Sequence, residues 1–550
     1  MSNKLFTPAI IVIVTLAFLA PFLNKAFHMD DPLFLWAAKH IQNNPADFYG
    51  FSVNWYGYEK PMCWVMKNPP LTSYYIAAAA SVLSFSEMAL HTAFLLPAVA
   101  SILGTYYLAR HLTAKPALAA VLTLLTPAFL VSSTNIMCDT MMLSFWVWAI
   151  FLWIRGIKNN NHPDLFFSSV LIAICTLTKY FGVSLILLLS VYTLMNKNKP
   201  KYSVLYFLIP LCLLAVYQWL SYSLCGRELF SDAGEYASFV RKASPQLFVK
   251  GLTGLAFTGG CTITVLFFSA MLFSKRFFIW TTTATILLIV ILISVRSIYK
   301  IQTYADNYVD WGFVLQLGLM CFTGAAVLWL SITDLLKQKN SDSLLLFLWL
   351  LGTFIFAGLL NWTVNARSIL LLIPAASILI ARRIDINPES GRIRKIVWPL
   401  IASAAVSLLV CTADYIYAGT ARQAAISINE KFPNHKNAVW FEGHWGFQYY
   451  MEALGAKALV FEKTMLEPGN IIIVPLQNTN IKIPPENYAE KTDVLQFDQF
   501  PLAATMSFTL GAGFYSSIWG PLPYAIGKTT PEDYLIYQVT KTPGNSGASL

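Results

Sequence analysis

Two carboxylates stand side by side in His28-Met29-Asp30-Asp31-Pro32. A carboxylate within hydrogen-bond reach of a hydroxyl can take its proton as the oxygen attacks, worth about 10²–10⁴-fold in rate. Asp before Pro is also a helix start, with Asp31 at the cap and Pro32 at the first helical position. Capping explains one acid; a second beside it adds like-charge repulsion without a capping gain. Asp30, with Asp31 beside it, is therefore a candidate for a chemical role, with capping alone as the competing reading. A third acid, Asp139, lies in Asn135-Ile136-Met137-Cys138-Asp139-Thr140, where a long apolar stretch begins. A charge at the centre of a bilayer costs roughly 2.5–3.5 kcal/mol, and less near the interface. Asp139 is a candidate site acid or, again, a helix cap.

Single cations complete the set. Lys179 lies in Thr178-Lys179-Tyr180-Phe181-Gly182 and Arg367 in Asn365-Ala366-Arg367. Lys60 lies in Glu59-Lys60-Pro61, and Lys67 precedes Asn68-Pro69-Pro70-Leu71. The apolar segmentation puts all four on the outer side, where isolated basic residues run against the usual charge bias. Each then calls for a local anion, and phosphate fits. The plainer readings are a snorkelling Lys179 and solvated lysines on a proline-stiffened linker. His28, His91, His435 and His444 are too dispersed to read as a metal set. The eight cysteines include no CxxC pair, so neither a zinc nor a redox motif is present.

The elements that position these residues are set by composition. Of 550 residues 56% are hydrophobic and 12% charged, against about 25% charged in soluble domains. That excludes a disordered chain, a disulfide scaffold and an ordinary cytosolic enzyme. Thirteen apolar segments are expected, from about 5–23 through 92–109, 117–133, 139–154 and 252–273 to 396–416. The intervening short loops hold Arg110, Lys115, Arg155, Lys158, Arg392 and Lys395 among others, and so read as cytoplasmic. The net charge of +10 is assigned to these loops and not to nucleic acid. The first segment reads as an uncleaved helix with its N-terminus inside. The fold class expected is an α-helical polytopic membrane protein with a small external α/β domain. The membrane domain would occupy 1–417, including a first external loop, 25–90, that carries an amphipathic interfacial helix with Leu33, Trp36, Ala37 and Ile41 on one face. The external domain would occupy 418–550, with strands at Ala438–Phe441, Ala458–Phe461, Ile471–Pro475 and Tyr534–Val539 around a helix at Trp445–Leu454.

The acidic pair Asp30-Asp31, the Lys67-Asn68-Pro69-Pro70-Leu71 turn, Asp139, Thr178-Lys179 with Gly182, and Asn365-Ala366-Arg367 with Pro374 come in an order that resembles the GT-C glycosyltransferases. The resemblance is to the protein mannosyltransferase and lipid A aminoarabinose transferase group (glycosyltransferase family 39-like). It implies a sugar taken from a polyprenyl monophosphate carrier and joined, with inversion, to a hydroxyl of a lipid, glycan or protein on the outer membrane face. It implies Asp30 as base, Asp139 as a second acid, and Lys179, Arg367 and either Lys60 or Lys67 at the phosphate. Asp31 stands where relatives often carry Glu. Some relatives bind a divalent cation near the first-loop acids; the residues themselves offer no ligand set beyond those acids. The setting implied is a cell inner membrane with the C-terminal domain periplasmic. Gly443-His444-Trp445-Gly446-Phe447-Gln448-Tyr449-Tyr450 resembles the external domain of bacterial relatives and carries no evident chemistry. A lipid-linked sugar flippase or transporter would also need many spans, but such proteins place ionisable residues near the midplane and repeat their halves; neither feature is present. A ligase or polymerase with a diphosphate-linked donor is the third reading.

Overall fold

A computed structural model describes residues 3–541 except 198, 244–246, 296, 299–300, 306–307, 387–392, 434–437 and 462. His435 and Arg392 therefore lie outside the described residues. The chain divides into two compact units.

The first unit comprises Met1–Leu23, Thr92–Thr412 and Ala503–Gly527. Among the described residues of the chain, seven helices are long and apolar enough to cross a membrane, or nine if two bent pairs each count as one span. Four further apolar helices are shorter, so length and composition alone give fewer spans than the thirteen expected. The bent pairs fall where the sequence reads as unbroken. Pro116–Leu124 and Pro127–Ser133 meet at 64°. Pro127 has no N–H to continue the first helix and pushes the residue before it into extended backbone. Thr126 accordingly sits at φ −109°, ψ 142°, and its hydroxyl caps the second helix by accepting from the Phe129 N–H. Leu247–Cys261 and Thr264–Leu272 meet at 84°. A π-helical segment, Ile355–Leu360, ends the helix that begins at Ser341. Such segments insert one residue into a helix and often lie at functional sites.

The second unit comprises Asn24–His91, Ala413–Leu502 and Lys528–Leu550. Its sheet has five strands in the order Ala489–Phe497, Glu532–Val539, Ile471–Pro475, Val439–Phe441, Lys457–Ala458. The last three run parallel; the first two are antiparallel additions. Helix Trp445–Ala453 and the helical residues Ala424, Ala425 and Ile428 cover one face, against Phe441, Ile473 and Ile536. Leu459, Ile472, Val474 and Leu535 form a second apolar layer on the other. The edge strand Ala489–Phe497 escapes sequence reading because only one of its nine residues is buried and its first half is largely polar.

The first-loop helix runs Asp31–Asn43. Its apolar stripe is wider than expected: Phe34, Leu35 and Ala38 are buried along with Leu33, Ala37 and Ile41, while Lys39, Gln42 and Asn43 form the exposed edge. A hairpin the sequence did not announce follows, Ser52–Trp55 paired with Tyr58–Pro61. Its two-residue turn holds Tyr56 and Gly57 at φ 60° and 77°, the positive-φ pair that suits the twist of a hairpin.

Candidate active site

Three of the sequence-selected residues meet in the first unit. Asp139 is the second residue of the helix Cys138–Asn159, and Met137, in extended backbone, holds the cap position. Asp139 is thus not the cap. Its first-turn position places a negative charge beside the positive end of the helix dipole. Its Oδ1 accepts from Lys179 Nζ at 2.6 Å, and its Oδ2 lies 3.9 Å from Arg367 Nη1. The carboxylate is 2% exposed, whereas Lys179 is 20% and Arg367 17% exposed.

The local chain explains how each cation arrives. Lys179 ends the helix His162–Thr178 in extended backbone, directly before the 3-10 turn Tyr180–Val183. The Gly182 N–H donates to the Lys179 carbonyl at 2.9 Å. A Cβ on Gly182 would fall 2.5 Å from the Thr176 nitrogen, so the reversal requires glycine. The snorkelling reading of Lys179 gives way to an ion pair. Arg367 lies in the first turn of Ala366–Ile369, where Asn365 Oδ1 caps the helix by accepting from the Ser368 N–H at 2.8 Å.

Residues the sequence reading missed complete the arrangement. The Arg367 guanidinium stands over the Tyr515 ring, 5.5 Å from its centroid, and against Met137 Sδ. Asn135 Nδ2 donates to the Tyr515 hydroxyl at 2.9 Å. The Ala366 N–H donates to the Phe514 carbonyl at 2.8 Å. Tyr515 belongs to the segment Ala503–Gly527, which the sequence reading assigns to the external domain and compactness assigns to the helical unit. Uncharged and far along the chain, Tyr515 gives no sequence signal for this contact.

Asp30, Asp31, Lys60 and Lys67 belong to the second unit. Here the helix start is offset by one residue from expectation. Asp30 holds the cap position without a side-chain cap bond, Asp31 is the first helical residue, and Pro32 follows. Asp31 is fully buried, and its Oδ2 accepts from the His28 N–H at 2.8 Å, closing the turn that precedes the helix. That bond gives the second acid the structural task. Asp30 is only partly buried. Lys60 sits on the hairpin opposite Val53, its Nζ 5.5 Å from the Tyr58 ring centroid. Lys67 lies half-buried before the buried Pro69 and Pro70, in a turn where the Tyr49 hydroxyl donates to the Asn68 carbonyl at 2.9 Å. Among the described residues no group of three or more His, Cys, Asp or Glu is arranged to hold a metal ion, so no step is routed through one.

Comparison with known proteins bears on this geometry. Residues 67–222 match the family described as dolichyl-phosphate-mannose-protein mannosyltransferase. That range contains Lys67, Asp139 and Lys179. No curated protein sequence is similar enough to stand as a relative. The oligosaccharyltransferase of Archaeoglobus fulgidus tethered with an acceptor peptide superposes with a TM-score of 0.51 at 14% identity, over 82% of this chain and 63% of that one. The same enzyme in complex with zinc and sulfate gives 0.52 at 14% identity, over 82% and 62%. This chain thus spans a little under two thirds of those chains. ArnT from Cupriavidus metallidurans bound to undecaprenyl phosphate gives 0.45 at 12% identity, over 86% and 93%, too loose a match to bear on the site. The resemblance read from the sequence holds at this level: the chain has the fold of the GT-C glycosyltransferases, and part of it matches the mannosyltransferase family.

Proposed function

We propose that this chain is a membrane glycosyltransferase that moves a sugar from a polyprenyl monophosphate to a hydroxyl acceptor on the outer face of the membrane, with inversion. The observation that carries the reading is the buried Asp139 carboxylate flanked by Lys179 and Arg367. One carboxylate and two cations sum to a single positive charge, held at partly exposed ammonium and guanidinium groups. A departing phosphate monoester gathers negative charge in the transition state, and cations already in place stabilise it without reorganising. In this reading Asp139 holds the two cations in place for the phosphate and does not touch the acceptor. The family that matches residues 67–222 names a dolichyl-phosphate sugar as its donor, which agrees.

In the reaction, the acceptor oxygen forms a bond to the anomeric carbon as the bond from that carbon to the phosphate oxygen breaks. The hydroxyl proton passes to a carboxylate, which we assign to Asp30 from its place in the acidic pair. Lys60 or Lys67 would add a third cation. The proposal includes thirteen spans with a cytoplasmic N-terminus, a membrane domain over 1–417 and a periplasmic domain over 418–550 of an inner-membrane protein. Its support is the basic character of the short inside loops together with the long, bent and shorter apolar helices.

The test uses the purified full chain in lipid nanodiscs, a labelled undecaprenyl-monophosphate sugar and a membrane extract as acceptor source. A new glycosidic product with released carrier phosphate is expected. Asp30→Asn should lower its rate by about 10²–10⁴-fold at unchanged thermal stability. Turnover only with a diphosphate carrier, or transport into sealed vesicles without a new glycosidic bond, would replace this reading.

A further inference from the structure

Residues 24–31 lead into the helix that begins at Asp31. They end in a tight turn, closed by the Asp31 N–H donating to the His28 carbonyl at 2.9 Å. Within that turn Met29 has φ +46°, and Asp30 has φ −82° and ψ 0°. A turn with positive φ at its second residue favours glycine there. A methionine in that conformation is strained, and such strain persists only where the surroundings hold it; it gathers at functional sites. Capping does not account for it, since Asp30 holds the cap position without a side-chain cap bond.

The hold comes from residues of the same unit that are remote in the chain. The Phe27 N–H donates to the Tyr450 hydroxyl at 2.7 Å. That hydroxyl donates in turn to Glu87 Oε1, and Glu87 Oε2 accepts from Arg422 Nη1 at 2.6 Å. The same arginine nitrogen donates, more weakly, to the Asn24 carbonyl at 3.4 Å. One network thus grips both ends of residues 24–27. A carboxylate is a strong acceptor, so the Tyr450 proton is committed to Glu87 and the oxygen lone pairs are left for the Phe27 N–H. The Phe27 ring is 2% exposed, edge-on to Tyr449 with centroids 5.2 Å apart and nearly parallel to Tyr450 at 6.5 Å. A Cβ on Gly446 would fall 2.2 Å from the Phe27 carbonyl oxygen, so the helix Trp445–Ala453 comes this close only with glycine there. Gly446, Tyr449 and Tyr450, part of a motif without evident chemistry in the sequence, therefore converge on Phe27, just before the strained turn.

We propose that Tyr450 is a positioning residue for Asp30: its hydroxyl, fixed by Glu87 and Arg422, holds the backbone at Phe27 and with it the Met29 turn that sets where Asp30 stands. The proposal rests on the reading of Asp30 as the base. The test uses the full chain in nanodiscs with the labelled undecaprenyl-monophosphate sugar and the membrane extract, together with amide hydrogen exchange of residues 27–31. Tyr450→Phe keeps the ring and removes the hydroxyl; it should speed that exchange and lower kcat, each about tenfold, with the donor KM unchanged. In an Asp30→Asn background the same substitution should lower the rate no further, because the hydroxyl acts only through Asp30. Met29→Gly relieves the positive φ and should recover part of the kcat lost in Tyr450→Phe. Glu87→Gln keeps an acceptor without its charge and should cause the same changes at about threefold; it carries the test should Tyr450→Phe not fold. Full activity in Asp30→Asn would remove the base reading itself. With Asp30→Asn inactive, unchanged kcat or unchanged exchange in Tyr450→Phe, an equal loss of rate in both backgrounds, or a raised donor KM in place of a lowered kcat would overturn the positioning role.

Discussion

Two ionic arrangements in this molecule share nearly the same contact distance and differ in what surrounds them. In the second unit Lys25 Nζ meets Asp414 Oδ2 at 2.5 Å, with side chains 1% and 0% exposed. In the first unit Lys179 Nζ meets Asp139 Oδ1 at 2.6 Å, but the lysine is 20% exposed and Arg367 stands beyond the second oxygen. The sealed pair is shut off from solvent on both sides. The open cluster has one cation more than it has carboxylates, and both cations are partly exposed. Burial of the acid and partial exposure of the bases are what the proposed anion-binding group has and the sealed pair lacks.

Substitutions should separate the two arrangements by what they damage. Lys25→Met alone takes the lysine from a buried carboxylate and should destabilise the second unit by about 3–5 kcal/mol, read as a lowered melting temperature. Lys25→Met with Asp414→Leu should recover most of that loss, because a well-packed apolar pair replaces a buried ion pair at little cost. Recovery of nothing would mean that the sealed pair has a task beyond structure.

Glu442 sharpens the contrast as a buried acid with no salt bridge among the described residues, the Lys482 charge acting on it only weakly against burial. Its Oε2 accepts from the Lys482 N–H, its Oε1 has no partner, and burial raises its pKa from 4.5 to about 7. The protonated form is thus favoured in the folded state. Its contribution to stability is full below about pH 4.5, declines as pH rises, and is gone above about pH 7. Glu442→Gln keeps the acceptor and never ionises. Above pH 7 it should exceed the wild type by about 3 kcal/mol, taking about 1.4 kcal/mol per pH unit over that interval; below pH 4.5 the two should be equal. Denaturant titrations at pH 4 and pH 8 check this.

At the open cluster the damage should appear in function. Lys179→Gln removes a charge-assisted hydrogen bond, worth about 1.5–3 kcal/mol, so kcat/KM for the polyprenyl-phosphate donor should fall about 10- to 100-fold, with a smaller loss of melting temperature than Lys25→Met because Arg367 still faces Asp139. Tyr515→Leu removes the ring beneath Arg367. A cation–π contact of about 0.5–2 kcal/mol corresponds to a loss of about 2- to 30-fold, carried by KM, while Tyr515→Phe keeps the ring and should keep most of the activity. Equal losses for Phe and Leu would shift the role to the hydroxyl and Asn135.

Charge and hydropathy made the membrane character of the chain legible, and the resemblance pointed to its fold. The residues that meet at Asp139 were legible because an isolated charge in an apolar segment demands a reason. What it was paired with was not: Lys179 and Arg367 were expected at a phosphate, and the structure places them first on a carboxylate. The Pro127 bend was hidden because hydropathy windows average over a break that one missing N–H imposes. The strand Ala489–Phe497 was hidden for the opposite reason, since an exposed edge has little apolar pattern to show.

The polypeptide leaves the sheet after Phe497, contributes Ala503–Gly527 to the helical unit, and returns to the sheet at Glu532. A protein truncated after Lys431, where the last long helix ends, would retain the long helices but lack the Tyr515 ring under Arg367 and the Phe514 carbonyl that anchors Ala366. The C-terminal part therefore cannot be exchanged between chains of this fold as a cassette: a chimera joined after the last long helix would inherit its arginine from one parent and the platform beneath that arginine from the other.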